Sequence, residues 1–189
     1  MNPSLTTNRY SKTAMSLHWL SALLVVAAFI YGPGGPELRV YAASRDFERQ
    51  LHETLGMGVF TLTLLRLAWR CVDHAPDAVP VARWMALSAT ATKWLLMALM
   101  LALPLTAITG AWLQGHPLTL LGGLVIPARI AASHALGNTF AELHGWLGDA
   151  ILWLAGLHAT AANYHHKILR DGVLASMLPL RAAARSVPR

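Results

Sequence analysis

Residues 144–166 read HGWLGDAILWLAGLHATAANYHH, an apolar stretch that carries histidines at positions 144 and 158. The stretch is long enough for a helix to cross a hydrocarbon core of about 30 Å. The two histidines are 14 residues apart. That spacing is close to four helical turns, so both rings lie on one face, about 21 Å apart along the axis. One helix face therefore presents an imidazole near each end of the predicted span.

Three more apolar stretches precede this one, at about residues 13–31, 51–71 and 90–113. Hydrophobic residues make up 55% of the 189-residue chain and charged residues only 13%, whereas a soluble domain averages about 25% charged. The pattern predicts an all-α fold, an integral membrane four-helix up-and-down bundle over residues 1–180, with a basic tail at 181–189. We expect the first span to be retained, because it lacks a small-residue cleavage site.

The distribution of basic residues predicts the orientation of the bundle. Eleven Lys and Arg residues fall on the side of both termini, against four on the other side. Both termini are therefore predicted to be cytoplasmic. The anionic membrane surface explains the net charge of +6 better than nucleic acid does. The single cysteine, Cys71, excludes an internal disulfide and an iron–sulfur cluster held within the chain.

Apart from the doublet His165-His166 that ends the fourth span, four of the nine histidines fall within predicted spans: His18, His52, His144 and His158. The up-and-down order places His18 and His158 at the cytoplasmic depth, and His52 and His144 at the opposite depth. Each pair joins different helices, as axial ligation of two stacked hemes requires. Two alternatives stay open. The histidines could each bond a neighbouring helix, or hold zinc or copper, although no thiolate or carboxylate completes a tetrahedral set.

Arg66 lies 14 residues after His52, so it shares the face of His52 and lies at the cytoplasmic depth. Two roles are open for it. Its guanidinium suits heme propionates, or Arg66 and Arg70 are only interface anchors. Small residues near the histidines also have two interpretations, room for a planar cofactor or close helix packing: Gly56, Gly58 and Gly156.

The remaining polar features are predicted to lie at or beyond the membrane surface. Residues 114–143 are expected to form a loop that caps the membrane. His74, His116 and His134 are expected to be solvated in loops. The seven tryptophans are expected to form an aromatic belt near the span ends. His165 and His166 are either interface anchors or the polar mouth of a quinone site, since histidine titrates near neutral pH.

The sequence resembles the bacterial cytochrome b561 family, the small diheme, quinone-linked cytochromes of the inner membrane. The resemblance covers nearly the whole chain, and it is carried by a set of short motifs in a fixed order. These are Tyr10-Ser11, Ser16-Leu17-His18-Trp19-Leu20, Leu65-Arg66-Leu67, Ala102-Leu103-Pro104, Gly115-His116-Pro117, Ile126-Pro127, His144, Gly156-Leu157-His158-Ala159, His165-His166 and Met177-Leu178-Pro179. One difference is Lys93, where some members carry a histidine.

The resemblance implies two b hemes, one held by His18 and His158 and the other by His52 and His144. It implies electron transfer between a periplasmic donor and the quinone pool, with ubiquinone as a substrate and membrane lipid as the surroundings. Some members oxidise superoxide, so the chain is expected to be a quinone-linked oxidoreductase of the bacterial inner membrane. Any proton transfer is expected to involve groups near the quinone, with His165, His166 and Lys93 as candidates.

Three other functions stay open at this point. The chain could be the membrane-anchor cytochrome b subunit of a larger dehydrogenase or hydrogenase. It could be a histidine-lined transporter, which would show no heme absorption. It could also be a purely structural membrane protein, which would tolerate leucine at each of the four histidine positions.

Overall fold

The computed structural model describes residues 9–73, 76 and 80–178. Four long helices dominate it: α1 (Lys12–Ile30), α3 (Asp46–Trp69), α4 (Arg83–Leu113) and α5 (His134–Tyr164). Between and after them lie shorter elements: α2 (Glu37–Val40), a 3₁₀ turn (Ala43–Arg45), strands β1 (Leu118–Thr119) and β2 (Val125–Ile126), a π turn (His165–Leu169) and α6 (Val173–Met177). The two strands pair as an antiparallel hairpin. The mostly helical fold agrees with the prediction.

The long helices pack in two pairs, and the members of each pair follow each other in the chain. Helix α1 lies along α3, α4 lies along α5, and contacts between α3 and α4 join the two pairs. The buried core consists of Val59, Leu99, Met100 and Ile151. Large apolar side chains elsewhere stay exposed, for example Ile30 at 68%. A small core inside an apolar outer surface is the arrangement of a bundle that lipid surrounds.

Two helices of the described part of the chain are long and apolar enough to cross a membrane, α1 and α4. Helices α3 and α5 are also long enough, but both carry charged residues and histidines along their length. Those side chains lower the mean hydropathy of α3 and α5. Candidates for the functional site, His52 and Arg66 in α3 and His144 and His158 in α5, are among these side chains.

Three helices begin earlier than their predicted spans. Helix α3 begins at Asp46, α4 at Arg83 and α5 at His134, where the spans were placed at about 51, 90 and 144. Hydropathy marks the apolar part of a helix, whereas the helix itself continues through polar turns for as long as its backbone bonds persist. The expectation that 114–143 is all loop is therefore wrong from His134 onward.

The two ends of the described chain meet at one end of the bundle, which we call the inner end. The N–H of Tyr10 donates to the Ser176 carbonyl at 3.3 Å, and the Trp19 indole donates to the Met177 carbonyl at 2.8 Å. Ser11, the N-cap of α1, donates to Asp73 beyond the end of α3 at 2.6 Å. Both ends of the described chain therefore lie at the same end of the bundle, as an even number of long helices requires.

The β1–β2 hairpin lies at the opposite end, which we call the outer end. It is fixed to α3 by backbone donors: Thr119 donates to Glu53 at 2.5 Å and Leu121 to Thr54 at 2.9 Å. These bonds use side chains at the start of α3 to satisfy hairpin N–H groups, which could not stay unpaired near lipid.

Glu37 holds two of the outer loops together. It accepts hydrogen bonds from His116 at 3.0 Å and from His134 at 3.2 Å. His116 also stacks on Tyr41, with ring centres 3.5 Å apart. His116 lies in a loop, as expected, but it contacts Glu37 and Tyr41 and is not simply solvated. His134 is exposed, as expected, but it belongs to α5 and not to a loop. His74 lies outside the described residues.

Glu37→Gln should weaken this contact in a pH-dependent way. Burial alone would raise the pKa of Glu37, but the bonds from His134 and His116 lower it below the ordinary 4.5. The fold therefore favours the ionised carboxylate, so its stabilisation is present above about pH 4.5 and is lost as the pH falls below that value. We expect E37Q to melt below the wild type at pH 7, and the difference to be smaller at a second pH below 4.5, as measured by thermal unfolding in detergent.

The matched control is Glu48→Gln. Glu48 pairs with Arg45 at the surface, with side chains that are 41% and 36% exposed, and an exposed ion pair of this kind contributes little. A melting difference for E37Q that is the same at both pH values, or no larger than that of E48Q, would show that the carboxylate of Glu37 does not join the loops.

Candidate functional site

The structure brings the four span histidines together as two facing pairs. The rings of His18 and His158 lie 6.4 Å apart, centre to centre, at an interplanar angle of 73°. Those of His52 and His144 lie 5.9 Å apart at 89°. These are the two pairs that the sequence predicted, one toward each end of the bundle. We call them the inner pair and the outer pair.

Both rings of the outer pair are oriented by backbone carbonyls. Nδ1 of His52 lies 2.7 Å from the carbonyl oxygen of Ala28, and Nδ1 of His144 lies 2.9 Å from that of Leu103. Because a carbonyl can only accept, each Nδ1 carries the hydrogen and each Nε2 keeps its lone pair. This arrangement is typical of metal-ligating histidines.

The end of α1 explains why the Ala28 carbonyl is available. The last four carbonyls of a helix have no partner within the helix. The N–H of Gly32, which would ordinarily reach Ala28, donates to Phe29 instead at 3.3 Å. The chain then leaves the helix through Gly32 and Pro33. The Gly-Pro stop that ends α1 thus also supplies the acceptor that fixes His52.

The inner pair is more open and lies beside a positive charge. His158 is exposed and His18 is partly buried. The ring of Trp19 lies 5.3 Å from that of His18. The Arg66 guanidinium acts electrostatically on both histidines. The structure therefore places Arg66 at the inner pair, on the depth that the sequence predicted.

Arg66 and its neighbour Arg70 have different surroundings. Arg66 is partly buried and forms no ion pair with a carboxylate among the described residues. Arg70 is exposed, and its guanidinium lies over the Trp94 ring at 4.7 Å. Arg70 therefore fits the role of an interface anchor, whereas Arg66 lies beside the inner pair without a carboxylate partner among the described residues.

The spacing within each pair fits an iron held between two imidazoles. Two bonds of about 2 Å from metal to nitrogen, together with two half-rings, add up to roughly 6 Å between ring centres. The helices also leave width for a planar group, since neither α1 nor α3 packs closely along α5 in the described part of the chain. The donor set that each pair offers, two imidazoles, would suit a b-type heme.

A small residue follows each of the four histidines by four positions: Ala22, Gly56, Gly148 and Ala162. A side chain at that spacing leans back over the preceding turn and would cover the imidazole. A Cβ added at Gly56 or Gly148 would meet nothing within 4 Å. Sequence reasoning identified Gly56 but missed the other three, although the spacing alone could have revealed them.

The glycines that sequence reasoning left open divide between the two interpretations. A Cβ at Gly56 would meet open space, whereas one at Gly58 would lie 3.1 Å from Leu24. A Cβ at Gly156 would also meet open space, but Gly156 lies about 160° around α5 from His158, so it makes no room for a cofactor beside that ring. Gly58 therefore serves close packing between α1 and α3. Gly137 does the same between α4 and α5, since a Cβ there would lie 2.6 Å from Gln114.

Three candidates for proton transfer lie away from the paired rings. In the π turn, His165 contacts the carboxylate of Asp171, which also accepts from the N–H of Val173 at 3.1 Å. Burial alone would raise the pKa of Asp171, but these bonds lower it below its ordinary value. Lys93 and His166 are exposed. Of the three candidates, His165 is the one that the fold holds in a defined position.

A zinc-type site finds no support in the described part of the chain. No group of three or more His, Cys, Asp or Glu side chains there is arranged to hold a metal ion. Each histidine pair therefore offers two protein ligands, which suits a metal whose other ligands come from a macrocycle.

Comparisons with known proteins identify the family of the chain. The prokaryotic cytochrome b561 family matches residues 9–180. Cytochrome b561 homolog 2 of Escherichia coli is 28% identical over 174 residues, which cover 92% of this chain and 93% of that protein. Probable superoxide oxidase CybB of Yersinia pestis is 29% identical over 174 residues, 90% and 96% of the two chains. Cytochrome b562 of Cereibacter sphaeroides is 29% identical over 177 residues, 89% and 94%. The chain belongs to the prokaryotic cytochrome b561 family and is a membrane-bound, heme-binding electron-transport protein.

Proposed function

We propose that the chain binds two b hemes and carries electrons between a periplasmic donor and the quinone pool. His18 and His158 would hold the inner heme, and His52 and His144 the outer heme. One observation carries the proposal: imidazoles from different helices face each other twice, at 6.4 and 5.9 Å. Bound b hemes supply reversible one-electron transfer.

The proposed setting is the bacterial inner membrane, with all four long helices as spans and both termini in the cytoplasm. Two observations support it. Basic residues are concentrated on the side of the termini, eleven against four. The hydrogen bonds of Tyr10 and Trp19 to residues near the C-terminus place both ends of the described chain at the inner end. The inner end is then cytoplasmic and the outer end periplasmic.

The chain's own residues would form an apolar, water-free region for electron transfer between the two histidine pairs. The buried core, Val59, Leu99, Met100 and Ile151, fills the bundle. Ile151 lies midway between His144 and His158 along α5, so this core lies between the two pairs. It excludes water and keeps the local dielectric low, which is one of the ways a protein tunes a redox site. At the inner end, His165 and Asp171 would pass protons to a reduced quinone.

The relative from Yersinia pestis is named a probable superoxide oxidase, and we propose superoxide as the periplasmic donor here as well. Each superoxide anion would lose one electron and leave as dioxygen. Two such electrons, with two protons taken up at the inner end, would convert ubiquinone to ubiquinol. The donor and the acceptor thus stay on opposite sides of the apolar core.

The test uses purified, heme-containing protein in liposomes that contain ubiquinone, with superoxide generated outside. We expect superoxide to disappear and ubiquinol to accumulate, two to one, with liposomes that lack the protein as the control. Superoxide consumption at the rate of the control would contradict superoxide as the donor. Reduced hemes that are not reoxidised by added ubiquinone would contradict the quinone as the acceptor.

Arg66→Gln should lower the midpoint potential of the inner heme and leave the outer one unchanged. A positive charge beside a redox site stabilises the form with the extra electron, so its removal disfavours reduction. We expect a shift of roughly 60 mV, which corresponds to a tenfold change for one electron. A redox titration followed by optical absorption measures both potentials.

The matched control is Arg70→Gln, which removes the same charge one helical turn further along α3, where Arg70 lies over Trp94. Equal shifts for the two variants would show that Arg66 acts only as part of the general positive charge of the inner surface.

A further inference from the structure

The face of α5 that is turned away from its two ligand histidines carries polar and small side chains. Glu142, Asp149, Gly156 and Asn163 recur every seven residues, so they form one line along the helix. We call this line the α5 stripe. All four residues are exposed. Asp149 follows His144 by five residues, which places it about 140° around the helix from that ligand.

Asp149 lies at a depth where a lone carboxylate is unfavourable. His52 bonds to Ala28 near the end of the apolar helix α1, and His144 faces His52, so the outer pair lies just inside that end of α1. Asp149 lies about 7.5 Å deeper along α5 than His144 does. At the centre of a bilayer, a charged side chain disfavours helix insertion by on the order of a hundredfold. An intramembrane carboxylate therefore needs a partner.

Two exposed tryptophans flank Asp149 on the same side of α5. Trp146 is 75% exposed and Trp153 is 77% exposed. Trp153 lies between the depths of His144 and His158, so the predicted aromatic belt at the span ends does not account for it. An indole N–H can only donate and a carboxylate only accepts. In the part of the chain that the structure describes, no hydrogen bond engages either indole or the Asp149 carboxylate.

We propose that the α5 stripe packs against the same stripe of a second copy, so that two chains form a symmetric dimer in the membrane. This proposal rests on the proposed four-span topology. Two copies inserted in one orientation are related by a two-fold axis along the membrane normal, which places equal residues at equal depth. Asp149 of one copy then meets indole donors of the other within about one helical turn. Gly145 and Gly156 allow the two helices to approach closely.

Disulfide trapping in native membranes tests whether the α5 stripe is the interface between the two copies. In a Cys71→Ser background, Gly156→Cys places one cysteine on the stripe. Leu157→Cys is the matched control, because it lies on the same helix at nearly the same depth but about 100° further around. We expect oxidation to join G156C into dimers and to leave L157C largely monomeric. Equal yields for the two variants, or no dimer from G156C, would overturn the proposal.

The mass of the purified protein in mild detergent tests the role of Asp149. We expect a dimer for the wild type, and a dissociation constant raised about three- to tenfold in Asp149→Leu through the loss of symmetric interhelical hydrogen bonds. The heme spectrum should stay unchanged. A monomeric wild type with its full heme content, or association only with an unlike chain, would overturn the dimer. Heme missing from every variant would refute the proposed cofactor instead, while the trapping result would still decide the dimer.

Discussion

Replacing His158 by alanine should remove one heme per chain and leave the other in place. In the proposed site, His158 supplies one of the two axial bonds at the inner end, and its ring faces that of His18. Without it, the inner iron would keep a single histidine. The outer pair lies about 21 Å away along α5 and takes its other ligand from a different helix, so it should be unaffected. Heme extracted and quantified per chain should fall from two to one.

The matched control for this variant is His166→Ala. His166 is exposed near the same end of α5, so its removal changes the histidine count at the inner end without touching either pair. We expect two hemes per chain in this variant. Two hemes in H158A, or the same loss in both variants, would contradict the assignment of His158.

Replacing His144 by leucine should remove the outer heme by the same argument. The ring of His144 is held toward His52 by its bond to the Leu103 carbonyl at 2.9 Å, and leucine has no donor atom for a metal. The heme that remains should have the absorption spectrum and potential of the inner site. These should differ from the spectrum and potential of the outer heme, which is the one that remains in H158A. The double variant with leucine at 144 and alanine at 158 should contain no heme.

His116→Leu is the control at the outer end. His116 bonds Glu37 and stacks on Tyr41, so its loss should loosen the outer loops while both hemes remain. A spectrum of H144L that is indistinguishable from that of H158A would mean that the two variants empty the same site. The two-layer arrangement would then be wrong.

The pairing of the four histidines could be predicted because two simple periodicities determine it. A separation of 14 residues keeps His144 and His158 on one helix face. The alternation of up and down helices then decides which partner lies at which depth. Neither step needs side-chain detail, so the sequence was sufficient to predict the observed pairs. Their role as heme ligands stays a prediction.

The helix starts and loop contacts at the outer end could not be predicted in the same way. Hydropathy describes where apolar residues lie, but the early starts of α3 and α5 depend on backbone bonding in polar segments. The contacts of Glu37 with His116 and His134 join residues that are far apart in sequence, and no periodicity relates them. They depend on how the loops fold over the outer pair, which only the three-dimensional structure shows.

The orientation of the outer pair lies between these two cases. The Gly-Pro stop after α1 was evident in the sequence as the end of a span. Its second effect, an unpaired Ala28 carbonyl that accepts from His52, follows from a general rule about helix ends. It becomes visible only when the position of α3 beside that end is known. The Gly-Pro stop, a local feature of the sequence, therefore helps to orient His52 only because α3 packs beside the end of α1.

The most direct test of the account is a reduced-minus-oxidised absorption spectrum of the purified protein with heme quantified per chain, together with electron paramagnetic resonance of the oxidised form. We predict two b hemes per chain, both low-spin with two histidine ligands and with distinct potentials. A preparation of folded protein that binds no heme, or that holds a single heme at saturation, would contradict the two-layer arrangement on which the proposed electron path depends.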